Sequence, residues 1–206
     1  MIQLILDGIE KKFEGNTVIH SFSQQFQSPD CIALTGPNGS GKSTLVKMIS
    51  GYVSPDQGTI SYHYKNEIIK KDNIYLLISM AAPWMEIMDE LTLGEAIRFH
   101  ASFRNWRNGL TSEQIIQLSG LKHAENKLVR NFSSGMKQRV RLVLAILSDS
   151  PILLLDEPTS NLDKSGIQWF QELLLSNMNE RLVFIASNHQ KDEIFCCNQH
   201  IEIAKG

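Results

Sequence analysis

Nine consecutive residues, Gly36-Pro37-Asn38-Gly39-Ser40-Gly41-Lys42-Ser43-Thr44, constrain the fold of this chain more than any other stretch. They fit G-x-x-x-x-G-K-[S/T], a loop whose glycines let backbone N–H groups turn inward into a nest for phosphate oxygens. Lys42 reaches β- and γ-phosphates as a point charge, and the Ser43 hydroxyl suits Mg²⁺. Such a loop joins a strand to a helix. Cys31-Ile32-Ala33-Leu34-Thr35 reads as the buried strand. Thr44-Leu45-Val46-Lys47-Met48-Ile49 reads as the helix, whose N-terminal dipole favours an anion.

The rest of the chain agrees with an α/β fold. Met1 to Leu6, Val18 to Phe26 and Thr59 to Tyr64 read as strands in a β-rich first third. Thr92-Leu93-Gly94-Glu95 and Thr111-Ser112-Glu113-Gln114 carry helix-capping patterns in the middle third. A further helix follows Gly135, and Ile167 to Leu175 reads as another. Pro151 to Leu155 and Leu182 to Ala186 are apolar runs expected in strands buried on both faces. His200 to Ile203 reads as a short final strand.

Other features exclude several classes. A net charge of −2 gives no overall pull toward nucleic acid or anionic membrane. The longest apolar candidate, Ile74 to Met85, falls short of the roughly 18 residues a membrane span needs. The N-terminus lacks the pattern of a signal peptide, so a cytosolic location is expected. Cys31, Cys196 and Cys197 fit no zinc spacing and read as buried free thiols.

Ile152-Leu153-Leu154-Leu155-Asp156-Glu157 puts two carboxylates at the end of a buried strand, where open α/β sheets present ligand groups. Asp156 can hold Mg²⁺ beside Ser43. Glu157 can orient and polarise an attacking water.

With these motifs in place, the chain resembles the ATP-binding cassette (ABC) family of ATPases, over nearly its whole length. Phe132-Ser133-Ser134-Gly135-Met136-Lys137-Gln138-Arg139 is similar to the family signature Leu-Ser-Gly-Gly-Gln followed by x-Gln-Arg, with Phe132, Ser134 and Met136 departing from it. The resemblance implies a P-loop core of mostly parallel sheet, an antiparallel β subdomain and an inserted helical subdomain at roughly 86–134. All of these would belong to one domain, 1–206. It assigns Ser133, Ser134 and Gly135 to a partner's ATP. It makes Phe13 the aromatic that stacks on adenine and His189 the histidine that contacts the γ-phosphate. It gives Ser160-Asn161-Leu162-Asp163 to communication between subunits.

ATP and Mg²⁺ are the implied cofactors. A second ABC ATPase subunit, identical to this one, and a membrane-embedded permease on a separate chain are the implied partners. The domain would sit at the inner face of the cell membrane through that permease, in an exporter-type complex. No nucleic-acid partner is expected. The alternative is a soluble ABC ATPase acting on nucleic acid or ribosomes, but the chain shows one cassette, no sustained heptads and no Cys-x-x-Cys.

One family feature is missing. A coupling-loop glutamine is expected in Ile78-Ser79-Met80-Ala81-Ala82-Pro83-Trp84-Met85-Glu86-Ile87-Met88, which contains none. Ser79 and Glu86 are the candidate substitutes. The methionines around Trp84 suggest an adaptable apolar surface for a permease helix.

Overall fold

The computed structural model describes residues 1–188 and 190–204. Four strands form an antiparallel sheet: β1 (Ile2–Phe13), β2 (Asn16–Gln27), β4 (Gln57–Tyr64) and β5 (Glu67–Ile68), in the order β2-β1-β4-β5. Five form a parallel sheet: β3 (Cys31–Thr35), β6 (Ile78–Ala81), β7 (Ile152–Asp156), β8 (Leu182–Ser187) and β9 (Gln199–Glu202), in the order β6-β7-β8-β3-β9.

The first strand is twice as long as its alternation suggests. Ile2, Leu4 and Leu6 are buried, and then the register with β2 shifts between Leu6 and Ile9. A bulge moves the inward face from even to odd positions, so Ile9 is buried in turn. The change of period hides residues 7–13 from a search for simple alternation. The strand turns into β2 at Glu14 and Gly15, with φ of 49° and 84°, the left-handed pair of a tight hairpin.

All residues of β3, β7 and β8 are buried, because the parallel sheet is covered on both faces. Ile32, Leu34, Leu154 and Phe184 pack with α1 (Lys42–Ile49) and the antiparallel sheet. Leu153, Leu155, Val183 and Ile185 pack with the helices of the opposite face. These are α2 (Leu93–Ala101), α3 (Ser112–Leu118), α4 (Ser134–Ile146) and α5 (Lys164–Asn177). The short α6 (Lys191–Ile194) follows β8.

Both capping boxes form: Thr92 with Glu95 on α2, and Thr111 with Gln114 on α3. Helix α5 begins three residues before the expected Ile167, since Asp163 accepts from the Gly166 N–H at 2.7 Å and caps it.

Strand β6 was not foreseen, and its chemistry explains why. Ser79 breaks the apolar run, yet it is buried: its hydroxyl donates to Ala145 O at 2.8 Å and accepts from Arg181 Nη2 at 2.8 Å. Arg181, 1% exposed, also donates to Ile146 O at 2.7 Å. One buried guanidinium thus joins β6, the end of α4 and the start of β8. Burial holds its pKa down to about 9.

Candidate functional site

The phosphate loop spans the gap between the last residue of β3, Thr35, and the first of α1, Lys42. Gly41 caps α1 with φ of 104°, and a Cβ there would come within 2.9 Å of Ile19 Cδ1 and 3.0 Å of Val18 O. Only glycine combines that backbone with that proximity. No side chain caps the helix, so its first N–H groups remain available to an anion. Pro37, Asn38 and Gly39 are exposed, whereas Gly36, Ser40, Gly41 and Lys42 are buried. Ser43 and Thr44 are half-buried. The Lys42 ammonium donates to Gly36 O at 2.8 Å and Pro37 O at 3.0 Å, which places it across the loop. Burial lowers its pKa, opposed by the charges of Glu157 and Asp156.

Asp156 ends β7 and is 1% exposed. The Ser43 hydroxyl lies beside its carboxylate, whose Oδ1 has no partner. Burial pushes its pKa up, against the lowering effect of Ser43. A buried, unsatisfied carboxylate oxygen beside a hydroxyl is a hard oxygen donor set that fits Mg²⁺.

Glu157 lies one residue beyond the sheet with φ of 47°. Its N–H donates to Ala186 O at 2.9 Å, Asn188 Nδ2 donates to its Oε1 at 3.1 Å, and Ser160 Oγ to its Oε2 at 3.4 Å. A left-handed, non-glycine residue costs about 1–2 kcal/mol and persists where the surroundings hold it. Lys42, Ser43, Asp156 and Glu157, read separately along the sequence, therefore meet at the carboxyl ends of β3 and β7, two strands that flank β8.

The signature turn joins a different cluster. Ser133 caps α4, its Oγ accepting from the Met136 N–H at 3.2 Å, and Ser133 and Ser134 are exposed. A Cβ on Gly135 would lie 2.8 Å from Asn161 O, so the turn presses directly on the 160–163 loop. Phe13 is 46% exposed at the tip of the β1–β2 hairpin, with the Lys11 ammonium 5.4 Å from its ring. The same hairpin brings Val18 and Ile19 against Gly41. His189 lies outside the described residues.

Several participants carried no local signal. Gln138, buried in α4, donates to Pro158 O at 2.9 Å and accepts from Arg141 at 3.2 Å. Arg141 in turn donates to Met85 O at 2.8 Å. Glu193 accepts from the Thr159 N–H at 3.0 Å and hydroxyl at 2.8 Å. The loop after Glu157 is thus tied to both α4 and α6.

Of the two glutamine substitutes, Ser79 is committed to Ala145 and Arg181, away from the loop, while Glu86 is exposed. Trp84 is placed differently from a residue at the centre of an open docking surface. Its ring packs on Tyr52 at 5.3 Å and under the Lys47 ammonium at 4.8 Å. Its buried Nε1 has no hydrogen-bond partner and is turned toward the Asp156 carboxyl, whose pKa it lowers. Met80, Met85 and Ile87 instead line a cleft of about 480 Å³ with Tyr52, Tyr75 and Leu144.

Comparison with known proteins gives this geometry its context. Residues 19–160 match the family described as ABC transporter. The chain is 29% identical over 195 residues to the ABC transporter ATP-binding protein YcbN of Bacillus subtilis, covering 91% of this chain and 62% of YcbN. It is 28% identical over 208 residues to YybJ of the same organism, also named an ABC transporter ATP-binding protein, covering 100% of this chain and 94% of YybJ. The fold superposes with a TM-score of 0.83 on the ATP-binding cassette MJ0796, solved as a dimer bound to ADP and Pi, at 20% identity over 98% of this chain and 95% of that one. A phosphate loop, a strand-end carboxylate pair and a signature turn, within a family match spanning most of the sequence, make this chain a member of the ABC transporter family and one of its ATPase domains.

Proposed function

We propose that this chain is the ATP-hydrolysing subunit of a transporter, working as a pair of copies that drive a separate membrane permease. The observation that carries the reading is the convergence of Lys42, Ser43, Asp156 and Glu157 at one end of the parallel sheet.

In this reading residues 36–44 cradle the phosphates, with Lys42 exchanging its loop carbonyls for phosphate oxygens. Ser43 and Asp156 hold Mg²⁺, which when bound supplies counter-charge to the phosphate chain. Glu157, steadied by Asn188 and Ser160, orients the attacking water. Phe13 stacks on the adenine, and His189 faces the γ-phosphate. The exposed Ser133 and Ser134, with the half-buried Gly135 beside them, meet the nucleotide of a second copy, and the adjoining 160–163 loop senses it. Residues 1–206 act as one domain, with 86–134 as its helical part.

In this reading the permease contact falls on the cleft lined by Met80, Met85 and Ile87, and the permease holds the complex at the inner membrane face. Arg141 and Gln138 link Met85 in that cleft to Pro158 beside Glu157, a continuous hydrogen-bonded route between docking and chemistry. Trp84 stands in for the missing glutamine, its free indole N–H directed at the Asp156 side of the site.

Phosphate release from the purified protein tests the catalytic part. Glu157→Gln should cut turnover by about 10²–10⁴-fold while calorimetry shows ATP affinity retained. Lys42→Ala should weaken ATP binding itself. Turnover undiminished in Glu157→Gln would assign the reaction to another group.

A further inference from the structure

The three cysteines are spread over the chain and gathered in the fold. Cys31 opens β3, at the end opposite the phosphate loop, while Cys196 and Cys197 lie between α6 and β9. Cys31 Sγ is 3.8 Å from Cys196 Sγ and 3.3 Å from Cys197 Sγ, and all three sulfurs lie within 4.8 Å of one another. Their spacing in sequence gives no hint of this, because it is pairing of β3 with β9 that brings residue 31 beside residues 196 and 197.

We propose that Cys31, Cys196 and Cys197 form a binding site for a thiophilic metal ion of the Zn²⁺ class, separate from the nucleotide's Mg²⁺. Two metal–sulfur bonds of about 2.3 Å at a tetrahedral angle set their sulfurs about 3.8 Å apart. The Cys31–Cys196 pair already has that separation, and the Cys31–Cys197 pair needs to open by only about 0.5 Å. The donor set is all sulfur, which selects zinc, cadmium or Cu(I) over the hard ions of the phosphate site.

The backbone around the cluster is clamped. Asn198 Oδ1 accepts from the Cys31 N–H at 2.8 Å, and the Asn198 N–H donates to Cys31 O at 2.9 Å. Asn198 Nδ2 also donates to Asp30 Oδ1 at 3.0 Å, and the Cys197 N–H donates to Ile194 O at 3.1 Å. Cys31 is buried, whereas Cys196 and Cys197 are half-buried and leave a path for an ion and a position for a water as fourth ligand.

Proton accounting is consistent with this. Sharing with Cys197 and Cys31 lowers the pKa of the Cys196 thiol. The same sharing raises Cys31 well above the usual thiol range and Cys197 to about 12. An incoming ion would replace the thiol protons, which leave to solvent, with no change in sulfur oxidation state.

Bound there, the ion would brace α6 against β3, and through Glu193 it would also brace Thr159 in the loop after Glu157. Cd²⁺ is a direct probe, because thiolate-to-cadmium charge transfer absorbs in the ultraviolet and oxygen ligands give no such band. Reduced, chelator-stripped protein, free of nucleotide and with Mg²⁺ in excess, should take up one Cd²⁺ per chain. Absorbance should match three thiolates and fall by about one third in each single serine variant, Cys31→Ser, Cys196→Ser or Cys197→Ser. Zn²⁺ should compete for the same site and raise Tm. No charge-transfer band in the folded wild-type protein would overturn the proposal without relying on any variant. So would full Cd²⁺ uptake by the triple serine variant, or a Cys31–Cys197 disulfide persisting in the reduced preparation.

Discussion

Asp156 and Glu157 are adjacent in sequence and held by opposite means. Asp156 is fixed by sheet hydrogen bonding and burial, while Glu157 begins a strained turn steadied by side chains from other segments. Trp84 turns an unpartnered N–H toward this pair. Trp84→Phe keeps an aromatic ring on Tyr52 and Lys47 and removes that donor. ATP affinity should stay within about twofold, and turnover should fall about tenfold, the equivalent of one hydrogen bond to a charged group in the site. Calorimetry beside phosphate release checks both, and unchanged turnover would leave Trp84 a packing role alone. At this scale the sequence was legible wherever chemistry is local. The loop lysine and the strand-end carboxylates announce themselves by type and spacing. Gln138 and Asn188 do not, since their polar atoms reach groups that only the fold brings near.

Helices and strands show the same division. The buried strands and both capping boxes could be read directly, because each rests on a pattern a few residues long. The second half of β1 was masked by a bulge and β6 by its buried serine. Helix α2 adds a pH-dependent contact. His100 stacks on Trp106 at 5.0 Å and bonds through Nε2 to Ser148 Oγ at 2.7 Å, which fastens α2 to the residues following α4. Burial, assisted by the Arg104 charge, brings its pKa from 6.5 to about 4. Its folded pKa lies below the unfolded one, so the unfolded chain binds the proton more tightly. Stability is therefore lost as pH falls from 6.5 toward about 4, by at most about 3 kcal/mol from this group. His100→Gln should flatten that part of the acid limb in thermal melts taken between pH 7 and pH 4, roughly the span between the two pKa values. An unaltered limb would place the acid sensitivity in other groups.

On the proposed reading, the whole molecule carries two clusters that face nucleotide. The phosphate loop and carboxylates form one cluster, and the exposed Ser133 and Ser134, backed by Asn161, form another. In the proposed paired action, a second molecule brings its own Ser133–Gly135 turn to this phosphate loop. Glu157→Gln with ATP should accordingly shift from monomer to dimer in size-exclusion chromatography, and the dimer should dissolve when ADP replaces ATP. A monomer under both conditions would count against paired action. Among the described residues, no helix is long and apolar enough to cross a membrane.

The order of the parallel sheet also sets a timetable for biosynthesis. Strand β3, which launches the phosphate loop, leaves the ribosome early, but its two neighbours are β8 and β9, with Cys31 paired to Val183 and Ile32 to Gln199. The apolar strand must wait through some 150 residues of translation before either edge is satisfied, which at about 5–20 residues per second is roughly ten to thirty seconds. During that interval the antiparallel sheet, whose four strands all lie within residues 2–68, can already form and shelter it. Nucleotide can meet a finished loop only once residues 182–202 have emerged, so ligand binding reports on the completion of the fold.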